Sequence, residues 1–347
     1  MRNVFFLSFI IVSFFACKSK QNIPYPAKPE SKESNAVFTI AFGSCNKQNE
    51  TNPFWDDILH QNPDVWIWGG DNIYADTKDM DELKSMYAQQ TENEGYKKLT
   101  EAIPVIGTWD DHDYGLNDAG REFSMKKESQ QQFLDFMQVP KNSERRNQEG
   151  VYASHIYETD KGQIKIFVLD TRYFRSPLEA DPDPDRRYKL NTDADDTILG
   201  KKQWNWLQEE LKSSSADFNL IVTSIQFLSG QHGFESWSNF PKEVEKLNSL
   251  ITESGAKGVI ILSGDRHISE FSKTTLKGME YPLIDFTSSG LTHFYASYKG
   301  EPNKFRVGDV TKVQSFGVIE LDLENKKATL KIMGEDNSIF QELKQTY

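Results

Sequence analysis

Ile103-Pro104-Val105-Ile106-Gly107-Thr108 runs directly into Trp109-Asp110-Asp111-His112-Asp113. A short apolar run of this kind reads as a buried strand. Three carboxylates and an imidazole within the five residues that follow make a donor set suited to metal. The arrangement recurs along the chain. Val65-Trp66-Ile67-Trp68 leads into Gly69-Gly70-Asp71-Asn72-Ile73-Tyr74-Ala75-Asp76, and Gly258-Val259-Ile260-Ile261-Leu262 leads into Ser263-Gly264-Asp265-Arg266-His267. Val37 to Phe42 leads into Gly43-Ser44-Cys45-Asn46. In open α/β sheets ligands gather beyond the carboxyl ends of the strands, so these four strand ends should converge on one pocket.

Outward from these segments, strands and amphipathic helices alternate through the first two thirds of the chain. Further strands are expected over Val151 to Glu158, Ile164 to Asp170, Asn219 to Ser224, Leu283 to Thr287, Ser315 to Leu321 and Ala328 to Met333. Apolar residues three or four apart predict helices over Pro53 to His60, Met80 to Glu101, Ser124 to Met137, Lys201 to Lys212 and Pro241 to Glu253. The last third is mostly strands separated by Gly, Asn and Lys turns. This pattern predicts two sheets packed face to face with helices outside, in one catalytic domain over residues 37 to 345. The polar stretch Ser176 to Thr197 is a long loop expected to rim the site or stay mobile. No internal repeat, phosphate-binding Gly-rich loop or GxSxG nucleophile elbow is present.

The 347 residues carry 52 acidic and 40 basic side chains, a net charge of -12. Such a balance disfavours nonspecific binding to nucleic acid or to an anionic membrane surface. An acidic pocket filled with cations would still attract anionic substrates.

Arg2, the apolar stretch Val4 to Ala16 and then Cys17 read as an export signal, too short to span a bilayer. Phe14-Phe15-Ala16-Cys17 resembles a bacterial lipobox. That resemblance implies cleavage before a lipidated Cys17, export, and an outer-membrane tether facing the periplasm; an ordinary secretory signal is the alternative. Lys18 to Ala36 would then be a flexible stalk. If Cys17 carries lipid, Cys45 has no partner for a disulfide, and its place after a strand favours metal ligation over simple burial.

Each cluster suggests particular chemistry. A carboxylate from Asp71 can bridge two cations, and the phenolate of Tyr74 and thiolate of Cys45 suit Fe(III) rather than Mg or Ca. Asp110 and Asp111 are adjacent and so point different ways; one should coordinate and the other orient His112. His112 is either a ligand or the group that protonates a leaving oxygen. Asn117 offers an amide oxygen that Ca tolerates, or simply forms a turn. Asp265 and His267 share one side if that segment is extended. Arg172, in Leu169-Asp170-Thr171-Arg172, is either a phosphate clamp or the partner of Asp170 or another Asp. His232 and His293 follow strands in Gly- or Ser-rich loops and could line the pocket, whereas His60 and His155 read as ordinary surface or core residues.

Taken in order, GSC, GDNIYAD, TWDDHD, LDTR and SGDRH resemble the PhoD-like (alkaline phosphatase D) branch of the calcineurin-like metallophosphatases. The resemblance runs over most of residues 37 to 345 and implies a two-sheet β sandwich flanked by helices. It also implies an Fe(III) centre with associated Ca ions, other divalent metals being possible, held by Cys45, Asp71, Tyr74, Asp111 with neighbouring Asp110, Asn117, Asp265 and His267. Members act on phosphate monoesters, diesters or phospholipids through a metal-activated hydroxide. Some carry an N-terminal accessory β domain, for which the short stretch before residue 37 has no room. The expected protein is thus an exported monomeric phosphoesterase. A phosphodiesterase or phospholipase C-like enzyme, and a noncatalytic lipoprotein stabilised by Ca, are the alternatives.

Overall fold

Residue parity organises the fold. A computed structural model describes residues 37–347, so the export signal and stalk expected over 1–36 lie outside the described residues. In β2 (Val65–Gly69), Val65 and Ile67 enter the core between two sheets, while Trp66 and Trp68 face a layer of helices. In β6 (Phe218–Val222), Leu220 and Val222 enter the same inner core, while Ile221 packs beneath helices on the opposite side. Strands buried on both faces read as continuous apolar runs, which is why their sequences show no polar alternation.

The first sheet takes the order β13-β12-β11-β1-β2-β3 and joins β1 (Val37–Gly43), β2, β3 (Val105–Thr108), β11 (Phe316–Asp322), β12 (Lys327–Met333) and β13 (Ile339–Thr346). The second takes the order β10-β8-β9-β7-β6-β5-β4. It contains β4 (Ala153–Thr159), β5 (Gly162–Val168), β6, β7 (Val259–Ser263), β8 (Ser269–Thr274), β9 (Leu283–Ser288) and β10 (Arg306–Thr311). Strands β1, β2 and β3 run parallel, as do β5, β6, β7 and β9. Phe42 and Phe286 meet edge to face across the inner core with centroids 4.7 Å apart.

Helices α1 (Trp55–His60), α2 (Met80–Glu92), α3 (Glu94–Ala102) and α5 (Lys126–Phe136) cover the first sheet, the one-turn α4 (Asp111–Tyr114) lying between α3 and α5 in the chain. Helices α6 (Gly200–Lys212) and α7 (Pro241–Ser254) cover the second with Trp204, Leu207, Leu247 and Leu250. The sandwich flanked by helices therefore matches the expectation.

One expected helix divides. The span Met80 to Glu101 breaks at Asn93, whose side chain accepts from the N–H groups of Gly95 and Tyr96 and starts α3 afresh. Gly95 is required there because a Cβ would come within 2.4 Å of Trp55. Three strands carry no apolar signature. Ser269–Thr274 buries polar groups such as Glu270, Arg306–Thr311 is interrupted by Gly308, and Ile339–Thr346 is a partly exposed edge. The loop over residues 176–197 is anchored by a bridge between Ala180 and Tyr188 and by Asn191 N–H donating to the Asn239 carbonyl at 2.6 Å.

Candidate metal centre

The parallel strands of both sheets end at one place. Cys45 lies two residues beyond β1, Asp71 two beyond β2, Asp110 and Asp111 just beyond β3, and Asp265 and His267 just beyond β7. The loops are stitched together by backbone bonds from Asn46 N–H to the Asp71 carbonyl (2.9 Å) and from Gly264 N–H to the Ser224 carbonyl (3.0 Å). Gly70, at φ +102°, permits this closeness, since a Cβ there would lie 2.6 Å from the Cβ of Asp110.

Strain marks the same residues. Cys45, Asp71, Asp265 and His267 all adopt the left-handed backbone region, at φ 60°, 49°, 70° and 53°. Non-glycine residues hold that conformation only where the surroundings enforce it, which happens most at functional sites. The extended segment expected for Asp265 and His267 is therefore replaced by a left-handed turn. The two reach the cluster through that turn rather than by period-two spacing.

The polar atoms converge closely. Cys45 Sγ lies 3.4 Å from Asp71 Oδ2 and 3.0 Å from Ser289 Oγ, and Tyr74 Oη lies 3.1 Å from Asp71 Oδ2 and 2.9 Å from His267 Nε2. Three overlapping groups place their donor atoms within 4.8 Å of one another: Cys45, Asp71 and His267; Asp71, Asp111 and His112; and Asp110, Asp111 and Asp265. Asp71 and Asp111 each belong to two groups, so either carboxylate could serve neighbouring cations.

Such a cluster is electrostatically unfavourable by itself. Burial, then the adjacent Cys45, pushes the Asp71 carboxyl well above the usual range; burial, then Asp110, does the same to Asp265. Burial pushes the Cys45 thiol up to about 11 and raises the Tyr74 phenol well above its ordinary value. Burial lowers His267 to about 4, with the charge of His112 adding to the effect. Asp110 Oδ2 is fully buried without a hydrogen-bond partner. Buried acids that repel one another, together with an unpaired buried oxygen, fit cations that would supply the missing charge.

The chain's own cations hold the outer side. Arg172 is fully buried, with Nε 2.5 Å from Asp110 Oδ1 and Nη1 2.7 Å from Glu235 Oε2. It is therefore a buried ion-pair residue, with Asp110 in place of Asp170, the second of the two readings the sequence left open. Its neighbour Asp170 is engaged elsewhere, accepting from Trp109 Nε1 and from the N–H groups of Arg172, Tyr173 and Val151. Asp110 is gripped by Arg172 and by Ser224 Oγ at 2.6 Å, so it does not orient His112. Asp76 does, with Oδ2 2.7 Å from His112 Nδ1. The His112 ring stacks on Tyr74 with centroids 4.2 Å apart.

Within the WDDHD segment the roles separate. Burial raises Asp111, but Arg172 and His112 outweigh it and hold the carboxyl at about 2. Burial opposes the charge of His112, whereas Asp71, Asp111 and Asp76 raise it to about 11. Asp113 belongs to the scaffold, accepting from Asp110 N–H at 2.7 Å and from Asn72 Nδ2 at 2.6 Å. Asn117 is exposed, and the next residue makes the contact: Asp118 N–H donates to Asp111 Oδ2 at 2.6 Å.

His293 joins the cluster, with its ring centroid 4.4 Å from that of His267 and 4.9 Å from that of Tyr74. His232 is buried beside Phe234, and His60 lies at the surface on Asn337. Ser289 was not anticipated, nor was the bond from Asp76 to His112. Asp76 had a signal, as the last acid of GDNIYAD; a serine has none.

A family model, PhoD-like phosphatase, matches residues 40–332. The chain belongs to the PhoD-like phosphatase family. Alkaline phosphatase D of Bacillus subtilis (strain 168) is 25% identical over 268 residues, which are 68% of this chain and 45% of the relative. The chain thus spans less than half the length of that curated relative. The solved structure of PhoD superposes with a TM-score of 0.70 at 18% identity, covering 92% of this chain and 70% of that one. A dimetal phosphatase from Danio rerio superposes with a TM-score of 0.51 at 12% identity, covering 89% and 99%. At these identities the likeness is one of fold: a two-sheet sandwich flanked by helices.

Proposed function

We propose that this chain is a metal-dependent phosphoesterase that hydrolyses organic phosphate esters at the cluster around Asp71. The observation that carries the reading is the sharing of Asp71 and Asp111 among adjoining donor groups at the joined strand ends. Cys45, Tyr74, Asp71 and His267 are the proposed ligands of the thiolate and phenolate side, where Fe(III) suits the donors. Asp110, Asp111 and Asp265 form the all-oxygen side suited to Ca or another divalent cation. Bound there, the cations would polarise phosphoryl oxygens and lower the pKa of water so that hydroxide can attack in line.

The chain's residues supply the rest. Asp76 fixes His112 through Nδ1 and leaves Nε2 as the proton-donating edge. His112 is proposed to protonate the departing oxygen. Its pKa, raised to about 11 by Asp71 and Asp111, would fall toward neutrality once bound cations offset those carboxylates. Arg172 acts indirectly, neutralising Asp110 and Glu235 so that Asp110 keeps one oxygen turned to the centre. Hydrophobic strands beneath the cluster exclude water from its ligand side.

The proposed setting is an exported lipoprotein tethered through Cys17, on the reading of residues 1–17 given above. Among the described residues no helix is long and apolar enough to cross a membrane. The test is hydrolysis of a chromogenic phosphate monoester and its matched diester, with and without chelator. Turnover lost to chelator and restored by cation supports the reading and gives the ester class. A protein that holds its metals yet turns over neither ester, nor a phospholipid, would instead be a Ca-stabilised binding protein.

A further inference from the structure

Arg172, Arg175 and Arg266, all near the acidic cluster, are committed to carboxylates. Arg172 and Arg175 are fully buried and share Glu235, while Arg266 makes two bonds to Glu301 through Nη2 and lies over the Phe234 ring at 4.2 Å. Arg187 differs. Its side chain is 49% exposed, and its partners are Asp118 Oδ2, 2.7 Å from Nη2, and the neighbouring Tyr188 hydroxyl. A guanidinium carries five donors in a planar fork, so the others can serve an anion.

The place of Arg187 is fixed from two sides. The N–H groups of Arg187 and Tyr188 both donate to the Gly233 carbonyl, at 2.9 and 3.3 Å, and the Arg187 carbonyl accepts from Asp181 N–H at 3.1 Å. Asp118, which holds the guanidinium, also accepts from the Tyr188 hydroxyl and sits in the left-handed region at φ 54°. The backbone N–H of this same residue donates to Asp111 Oδ2 at 2.6 Å. One strained residue thus ties a cluster carboxylate to an arginine with open donors at the rim.

We propose that Arg187 reads the second negative charge of a phosphate monoester bound at the centre and so sets the preference for monoesters over diesters. This rests on the phosphoesterase reading. Cations would hold oxygens common to both ester classes, whereas only the monoester dianion offers a further charged oxygen for a guanidinium fork. A diester presents a second alkyl group there and gains nothing from Arg187.

The test compares the full metal-loaded chain with Arg187→Ala, Arg187→Lys and the control Lys189→Ala, a neighbouring exposed lysine paired with Glu179. Steady-state kinetics use p-nitrophenyl phosphate and bis(p-nitrophenyl) phosphate, and calorimetry measures binding of inorganic phosphate and dimethyl phosphate. Loss of one charge-assisted contact should raise KM for the monoester about tenfold and weaken phosphate by a similar factor. The diester KM and dimethyl phosphate affinity should move less than about twofold, kcat should hold, and lysine should restore part of the loss. Equal effects on both esters, no effect on either, or the same loss in Lys189→Ala would overturn the proposal. Absence of turnover in the unsubstituted protein would instead sink the phosphoesterase reading, while the two binding measurements would still decide the role of Arg187.

Discussion

The Cys45 thiol and the Asp71 carboxylate are buried 3.4 Å apart, with Sγ facing Oδ2. Two groups that become anions on losing a proton do not tolerate that separation in a low-dielectric interior unless one stays protonated or a cation intervenes. The juxtaposition is the physical core of the metal-centre reading.

It leads first to a pH-dependent stability. Burial raises Asp110 to about 8 in the absence of metal, far above the ordinary carboxylate value. A carboxyl with a raised folded pKa binds more protons folded than unfolded between those values, so its contribution is present below about pH 4 and lost as pH climbs to about 8. Burial, opposed by backbone donors, raises Asp113 to about 7 with the same sign. Chelated protein should therefore lose melting temperature from pH 5 to 8. Cation-loaded protein should not, and the gap between the two should widen over that range. Parallel melting curves would contradict the account.

Asp113 and Asp111 are two residues apart yet serve different parts of the site. Asp113→Ala strands the buried donors of Asp110 and Asn72, at roughly 1–3 kcal/mol for each unsatisfied group. Asp111→Ala also strands buried donors, the N–H groups of Asp118 and His112, but in addition should abolish cation uptake and turnover. Thermal melts paired with metal analysis separate the two; a metal-binding defect confined to Asp113→Ala would reverse the assignments.

Asp76→Asn tests the orientation of His112. Asp76 is partly exposed, so stability should change by less than about 0.5 kcal/mol. Turnover should fall roughly 10- to 100-fold, the usual range for a residue that orients a catalytic or ligating histidine. Because Asp76 is among the charges that raise His112, the alkaline limb of the rate profile should move to lower pH. An unmoved limb would remove His112 from the proton-transfer role.

Tyr74 tests the metal. Phenolate or thiolate bound to Fe(III) absorbs visible light, so as-purified protein should be coloured and Tyr74→Phe should weaken or shift the band. Colourless protein whose metal content is the same in Tyr74→Phe would argue against iron on that side.

Much of this was legible before the structure. The four polar clusters at strand ends converge because parallel strands bring their carboxyl ends together, and each apolar run preceding a cluster is a strand. What escaped has a physical reason in each case. Arg172 left two readings open, clamp or ion pair, because a sequence does not show burial, and its partner Glu235 lies 63 residues away in a loop without pattern. Asp76, not Asp110, orients His112, since adjacency along the chain does not report that Asp110 is held by Arg172 and Ser224 while Asp76, in the left-handed region, reaches back to the ring. The strand Ser269–Thr274 hides because Glu270 is buried against Arg306 rather than replaced by an apolar residue.

The most direct measurement is turnover of a phosphate ester plotted against cations bound per chain, as metal is returned to chelated protein and to Asp71→Asn. The account predicts activity that rises with bound metal in the unsubstituted protein and stays absent in Asp71→Asn. Full turnover with no metal bound, or in Asp71→Asn, would contradict it.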